Sequence, residues 1–197
     1  MAENLTTPVT FGILSVLEGE PYRRVKDLQQ RLEERYGLVE AQAFEHPHIS
    51  FQGGTACCLE GITATCHWLL ERLEPFTLEA SGIGHFTNRV IYLRVKLTPA
   101  LRQMNRLVNE YLSSRCLSVF PLYTPEQWVP HITLAMGDMS EGVFEEVWRE
   151  LSRSDLSFAQ TIRNLCLASR QDGGGFAIAE QWQLGAGPVG QGTGWPA

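Results

Sequence analysis

A basic excess is missing from this chain of 197 residues: 16 lysines and arginines stand against 22 aspartates and glutamates, a formal net charge of −6. Proteins that grip a duplex or a long RNA draw most of their affinity from cationic contacts to phosphate. The totals therefore favour a small or short substrate over a long polyanion. CxxC spacing is also missing, and the five cysteines (Cys57, Cys58, Cys66, Cys116, Cys166) are an odd number. That pattern suits neither a disulfide scaffold nor a zinc knuckle. It suits buried free thiols in a reducing compartment. No run approaches the ~20 apolar residues of a membrane span. The opening Met1-Ala2-Glu3-Asn4-Leu5-Thr6 lacks the basic and apolar stretches of a secretory signal. The expectation is a cytoplasmic protein without membrane association. What is present, 44% hydrophobic and 19% charged residues, supports a sizeable core in one large domain or two intimate lobes.

Periodicity divides the chain into two similar halves. Thr10 to Leu17 is apolar and β-branched and predicts a strand. Pro21 opens a helix to about Tyr36, with Leu28, Leu32 and Tyr36 spaced four apart and Gly37 at the C-terminal position. His48 to Gln52 predicts a second strand, and Leu59 to Leu73 a helix stopped by Pro75. Phe76 to His85 and Arg89 to Leu97 predict strands about a turn at Asn88. The order then repeats. Pro99 starts a helix with Leu101, Met104, Leu107, Val108 and Leu112 on one face. A loop holding Pro121, Pro125 and Pro130 leads to a strand, His131 to Met136. Val143, Phe144, Val147, Trp148 and Leu151 form a further helical stripe. Leu156 to Ala168 and Phe176 to Leu184 predict strands about the turn Gly173-Gly174-Gly175, which lacks the lysine and helix of a phosphate loop. A duplication explains this order, and an approximate two-fold axis would relate its copies. That axis would bring the two histidine strands together at the lobe interface, where clefts form.

Two short segments carry the chemistry: His48-Ile49-Ser50 and His131-Ile132-Thr133. Residues i and i+2 of a strand share a face. Each segment thus aims an imidazole and a hydroxyl one way and an isoleucine the other. Two such pairs across a cleft suit acid–base work on a phosphodiester. One neutral imidazole takes a proton, the opposite imidazolium gives one, and the hydroxyls donate to the non-bridging oxygens. No carboxylate cluster or HxxE spacing flanks either histidine, so no metal and no cofactor is required.

His48-Ile49-Ser50-Phe51 and Pro130-His131-Ile132-Thr133-Leu134-Ala135 resemble the paired H-x-[S/T]-x motifs of the two-histidine (2H) phosphoesterase superfamily. Trp128-Val129-Pro130-His131-Ile132-Thr133-Leu134-Ala135 is especially similar to the second motif of its 2′-5′ RNA ligase-like branch. The resemblance covers residues 8 to about 184. It implies a bilobal fold around a water-filled cleft and metal-independent chemistry on 2′,3′-cyclic, 1″,2″-cyclic or 2′-5′ linked phosphates. By position, His48 and His131 become the acid–base pair and Ser50 and Thr133 the phosphate ligands. Ser50 replaces the commoner threonine and keeps the hydroxyl.

The expected fold is α+β. Two pseudo-symmetric lobes would place antiparallel-rich sheets along a central cleft with helices outside. One bilobal domain would span 1–184, its interleaved halves at about 8–88 and 89–184, before a flexible Gly/Pro-rich tail at 185–197. Tyr123 and Trp128, before the second motif, and Phe86 and Arg89, at the turn between strands, are further candidate substrate contacts. Aromatic rings there suit base stacking, worth ~1–3 kcal/mol per base, and Arg89 suits a phosphate. Packing for the rings and solvent for the arginine fit equally well. His46 shares the face of His48 and either tunes it from the rim or joins His48 and His131 in a metal set. His67 is expected to be an ordinary helical residue, and His85 a loop residue no nearer than the cleft's edge.

The leading expectation is a phosphodiesterase acting on a nucleotide or RNA terminus, with no obligate protein partner inferred. The alternatives are 2′-5′ ligation of RNA ends, a non-catalytic nucleotide- or RNA-end-binding module, and a metal hydrolase.

Overall fold

The structure is a computed structural model that describes residues 8–185 other than 88, 114 and 138. The expected turn residue Asn88 and positions 186–197 of the expected tail lie outside the described residues. Chain order is β1 (Val9–Val16), α1 (Gly19–Tyr36), β2 (His48–Ala56), α2 (Glu60–Leu70), β3 (Phe76–Phe86), β4 (Val90–Val95), α3 (Pro99–Leu112), β5 (Ser118–Val119), β6 (His131–Met136), α4 (Glu141–Ser152), β7 (Phe158–Ile162), β8 (Asn164–Arg170) and β9 (Phe176–Gln183). Two antiparallel sheets result. One has the strand order β5-β2-β1-β8-β9, the other β6-β4-β3-β7.

The sheets are related by chain position. β2-β1-β8 in one matches β6-β4-β3 in the other. The first half of the chain thus lends β3 to the sheet founded by β4 and β6, and the second half lends β8, with β5 and β9 at the edges, to the sheet founded by β1 and β2. Helices cover the sheets: α1 and α4 pack against β6 and β3, while α2 and α3 pack against β8, β9 and β2. The core between these layers holds Phe11, Ile13, Ile49 and Phe51 from one sheet and Leu78, Ile91, Leu93 and Ile132 from the other, all fully buried.

Local signals explain the helix ends. Gly37 adopts φ 70 and its N–H reaches Glu33 O at 2.8 Å. That left-handed turn closes α1 where a side chain would be strained. Thr98 caps α3, its hydroxyl accepting from Leu101 N at 3.3 Å, with Pro99 in the first turn.

The structure corrects the sequence reading at several places. Leu156 to Ala168 is not one strand. It breaks at Arg163, so that β7 joins one sheet and β8 the other. Fully buried Asn164 fixes the crossing. Its Oδ1 accepts from Val16 N at 2.9 Å, its Nδ2 donates to Val16 O at 3.0 Å, and its own carbonyl accepts from Ser15 Oγ at 2.6 Å. The proline-rich loop contains β5 and a 3₁₀ turn, Pro121–Tyr123. Cys57 and Cys58 are exposed, against the expectation of burial, whereas Cys66 and Cys166 are buried. His85 lies on β3, not in a loop, with its ring against Phe144 and Trp148 of α4 at 5.4 and 5.3 Å. His67 lies on α2, its ring 5.4 Å from Trp182. No helix among the described residues is long and apolar enough to cross a membrane.

Candidate active site

The two histidine segments begin β2 and β6, and their main-chain settings match. Each follows a proline whose carbonyl is held by the neighbouring strand: Leu17 N donates to Pro47 O at 2.8 Å, and Val95 N to Pro130 O at 3.2 Å. His48 stands opposite Val16 and Ser50 opposite Leu14. His131 stands opposite Arg94 and Thr133 opposite Tyr92. The ladders then slip at the same place, one residue beyond each hydroxyl, leaving Phe51 and Leu134 unpaired. Both bulged residues are fully buried. A bulge bends the strand and re-aims the side chains beside it.

Each bulge also frees the carbonyl of its hydroxyl residue, and a crossing side chain satisfies it. Trp128 Nε1 donates to Ser50 O at 3.0 Å, and Gln29 Nε2, from the buried face of α1, donates to Thr133 O at 2.9 Å. Asn105 of α3 holds the bulge itself, donating to Phe51 O at 2.8 Å and to Tyr123 O at 2.9 Å. Asn109 adds a second donor to Tyr123 O at 3.0 Å and accepts from Gln52 Nε2 at 2.5 Å.

The imidazoles are anchored alike. Nδ1 of His48 lies 2.8 Å from His46 O, and Nδ1 of His131 lies 2.8 Å from Val129 O. A carbonyl only accepts, so Nδ1 carries the hydrogen and Nε2 of the neutral ring keeps a free lone pair. Aromatic edges brace both rings. Phe44 meets His48 at 4.9 Å, while Phe86 and Tyr92 meet His131 at 5.0 and 5.2 Å. Tyr92 can lie there because Gly84 faces it: a Cβ on residue 84 would come within 2.6 Å of the tyrosine ring.

Burial lowers the pKa of His48 to about 4, against the carbonyl hydrogen bond that favours its charged form. The charges of His131 and His46 lower it further. Burial likewise lowers that of His131. The two imidazoles therefore sense one another, and both are neutral at pH 7 when the site holds no anion.

His48, Ser50, Tyr123 and Thr133 line one cavity of about 300 Å³. The Tyr123 hydroxyl hydrogen-bonds Ser50, although burial keeps its pKa raised. His131 shares the strand face of Thr133 and is not itself among the lining residues. The other candidates are not among its lining residues either. Trp128 is buried behind Ser50. Phe86 stacks on Tyr92 at 4.3 Å. Arg89 is exposed at the turn before β4, its carbonyl accepting from Gly137 N at 3.0 Å. His46 supplies its carbonyl to His48 and packs its ring near Phe44 at 5.6 Å. Among the described residues no three His, Cys, Asp or Glu side chains gather as a metal site.

The cavity also contains residues that the sequence reading missed: Glu40, Phe44, Gln52, Phe120 and Phe176, with the turn glycines Gly174 and Gly175. For Gln52 a signal existed, since it continues the alternation from His48 and Ser50. The others lie outside the two histidine strands, and no local pattern marks them.

Paired imidazoles on equivalent strands, each followed by a hydroxyl, define a phosphoesterase of the two-histidine type. The chain belongs to the 2′-5′ RNA ligase superfamily, whose sequence model matches residues 47–174. It is 26% identical over 174 residues to a Bacillus mycoides (strain KBAB4) protein named "Putative phosphoesterase", covering 84% of this chain and 93% of that one. It shares its fold with E. coli LigT, whose complex with 3′-AMP superposes at a TM-score of 0.60 with 16% identity, over 90% of this chain and 98% of that one. The protein TT0787 of Thermus thermophilus superposes at 0.61 with 18% identity, over 89% and 97% of the respective chains.

Proposed function

We propose that the protein is a metal-independent phosphodiesterase that hydrolyses a cyclic (2′,3′ or 1″,2″) or 2′-5′ phosphodiester of a nucleotide or RNA end, with His48 and His131 as acid and base. The observation that carries this reading is the identical anchoring of the two imidazoles, Nδ1 on a carbonyl at 2.8 Å in each case. That anchoring turns both Nε2 atoms into proton acceptors or donors of fixed direction. A phosphodiester between them brings a negative charge, which raises the pKa of the nearby rings and loads one of them with a proton. The neutral ring then takes a proton from water, the water oxygen attacks phosphorus, and the protonated ring delivers its proton to the departing ribose oxygen. Ser50 and Thr133 donate to the non-bridging oxygens, where charge builds. The complex of E. coli LigT with 3′-AMP supports a nucleotide as the class of ligand.

The near-equivalence of the two rings also favours the reverse reaction, joining a cyclic phosphate end to a 5′-hydroxyl end. Purified protein in excess chelator, incubated with 2′,3′-cyclic mononucleotides, 2′-5′ dinucleotides and ADP-ribose 1″,2″-cyclic phosphate, tests the reading. Hydrolysis of at least one class at undiminished rate is expected. Activity that vanishes with chelator and returns with a divalent ion would replace it with a metal mechanism. Short RNAs with cyclic phosphate and 5′-hydroxyl ends test joining in the same buffer.

A further inference from the structure

The cavity has two unlike ends. His48, Ser50 and Thr133 stand at one, and Glu40, from the 3₁₀ turn Glu40–Gln42, stands at the other beside Met136. From Thr133 to Met136 the strand advances three residues, roughly 10 Å in extended backbone. One nucleotide bridges such a span from its phosphate to the edge of its base. The cavity also carries aromatic rings. Phe120 and Phe176 line it and keep 38% and 36% of their surface exposed, offering ring surface on which a base can stack.

Glu40 brings the charge to this far end. Its carboxylate lies over Gly137, where a Cβ would come 3.6 Å from Oε1. Among the described residues no hydrogen bond or ion pair engages that carboxylate. An ionised carboxylate accepts hydrogen bonds and gives none. It therefore discriminates among bases by the pattern of their edges. Guanine sets N1–H and an N2–H side by side, one for each carboxylate oxygen, and such paired bonds to a charged acceptor are the strong kind. Adenine and cytosine place a ring-nitrogen lone pair beside their amino group, and uracil flanks its one N–H with two carbonyls. Each turns a lone pair toward the charge, so exclusion adds to attraction.

We propose that this cavity selects guanine and that Glu40 is the residue that reads the base. The inference rests on the phosphodiesterase reading above and narrows its substrate to guanosine-ended phosphodiesters. The test compares the four 2′,3′-cyclic mononucleotides in steady state, with wild type, Glu40→Gln and, as a control in the same loop, Glu45→Gln. Guanosine should exceed adenosine in kcat/KM by about tenfold or more, mostly through KM. Glu40→Gln should bring that ratio to within about twofold, whereas Glu45→Gln should leave it intact. Calorimetry with guanosine and adenosine 3′-monophosphates asks the same question without turnover. Equal turnover or equal binding of the two bases by wild type, or a guanine preference that survives Glu40→Gln, overturns the assignment of Glu40. Absence of turnover on all four, with guanosine monophosphate still bound more tightly, would instead overturn the catalytic reading and keep the base site.

Discussion

At the scale of single residues, the proposed chemistry rests on four side chains, two of them imidazoles whose Nδ1 atoms are held by main-chain carbonyls. A positioned acid or base contributes ~10²–10⁴-fold. His48→Ala and His131→Ala are expected to lower kcat by that order while circular dichroism shows an unchanged fold. Ser50→Ala and Thr133→Ala should cost less, on the order of 10- to 100-fold, because two hydroxyls share the phosphate oxygens. Full activity in both histidine variants on every cleaved substrate would falsify the pairing. The placing of these pairs on strands was legible in the sequence because strand alternation is a local property: it puts imidazole and hydroxyl on one face whatever the partner strand. Glu40 and Phe176 were not legible. They reach the cavity through a 3₁₀ turn and a hairpin, and their neighbours in sequence say nothing of that destination.

At the scale of elements, the paired bulges at Phe51 and Leu134 re-aim the histidine strands, and the carbonyls beside them need donors from elsewhere. Gln29 is the clearest case. It is a buried polar residue on an otherwise apolar helix face, and its amide meets Thr133 O at 2.9 Å. Gln29→Leu would leave that carbonyl unsatisfied, at a cost of about 1–3 kcal/mol, measurable as a lower midpoint in urea. An unchanged midpoint would show that water replaces the amide at no loss. The bulges were invisible in sequence because a bulge is a relation between two strands. The break at Arg163 was hidden for a similar reason. Which sheet a segment joins is not written in its own residues, and the hydrogen bonds of Asn164 to β1 hold the chain on the other sheet. Helix limits were easier, since Gly37, Thr98 and Pro99 act within one turn.

At the scale of the whole molecule, the two depressed imidazoles tie stability to pH. Unfolded, His48 takes a proton near its ordinary value of 6.5, whereas folded it does so only at about 4. Between those values the unfolded chain holds more protons, so the stability present above pH 6.5 is lost as the solution is acidified toward 4. His48 alone accounts for at most on the order of 3 kcal/mol, and His131 adds in the same direction. Urea titrations at pH 7.5 and 4.5 should show the loss, and His48→Ala should flatten it. An equally steep slope in that variant would assign the effect to other groups.

The exchange of β3 and β8 between the halves has a topological outcome. A protease nick at residues 87–89 would yield two fragments that cannot drift apart without tearing a strand from the interior of a sheet. They should elute together from a sizing column in native buffer and separate only in denaturant. A single repeat would lack its own third strand and could complete a sheet only by borrowing one from a sister molecule.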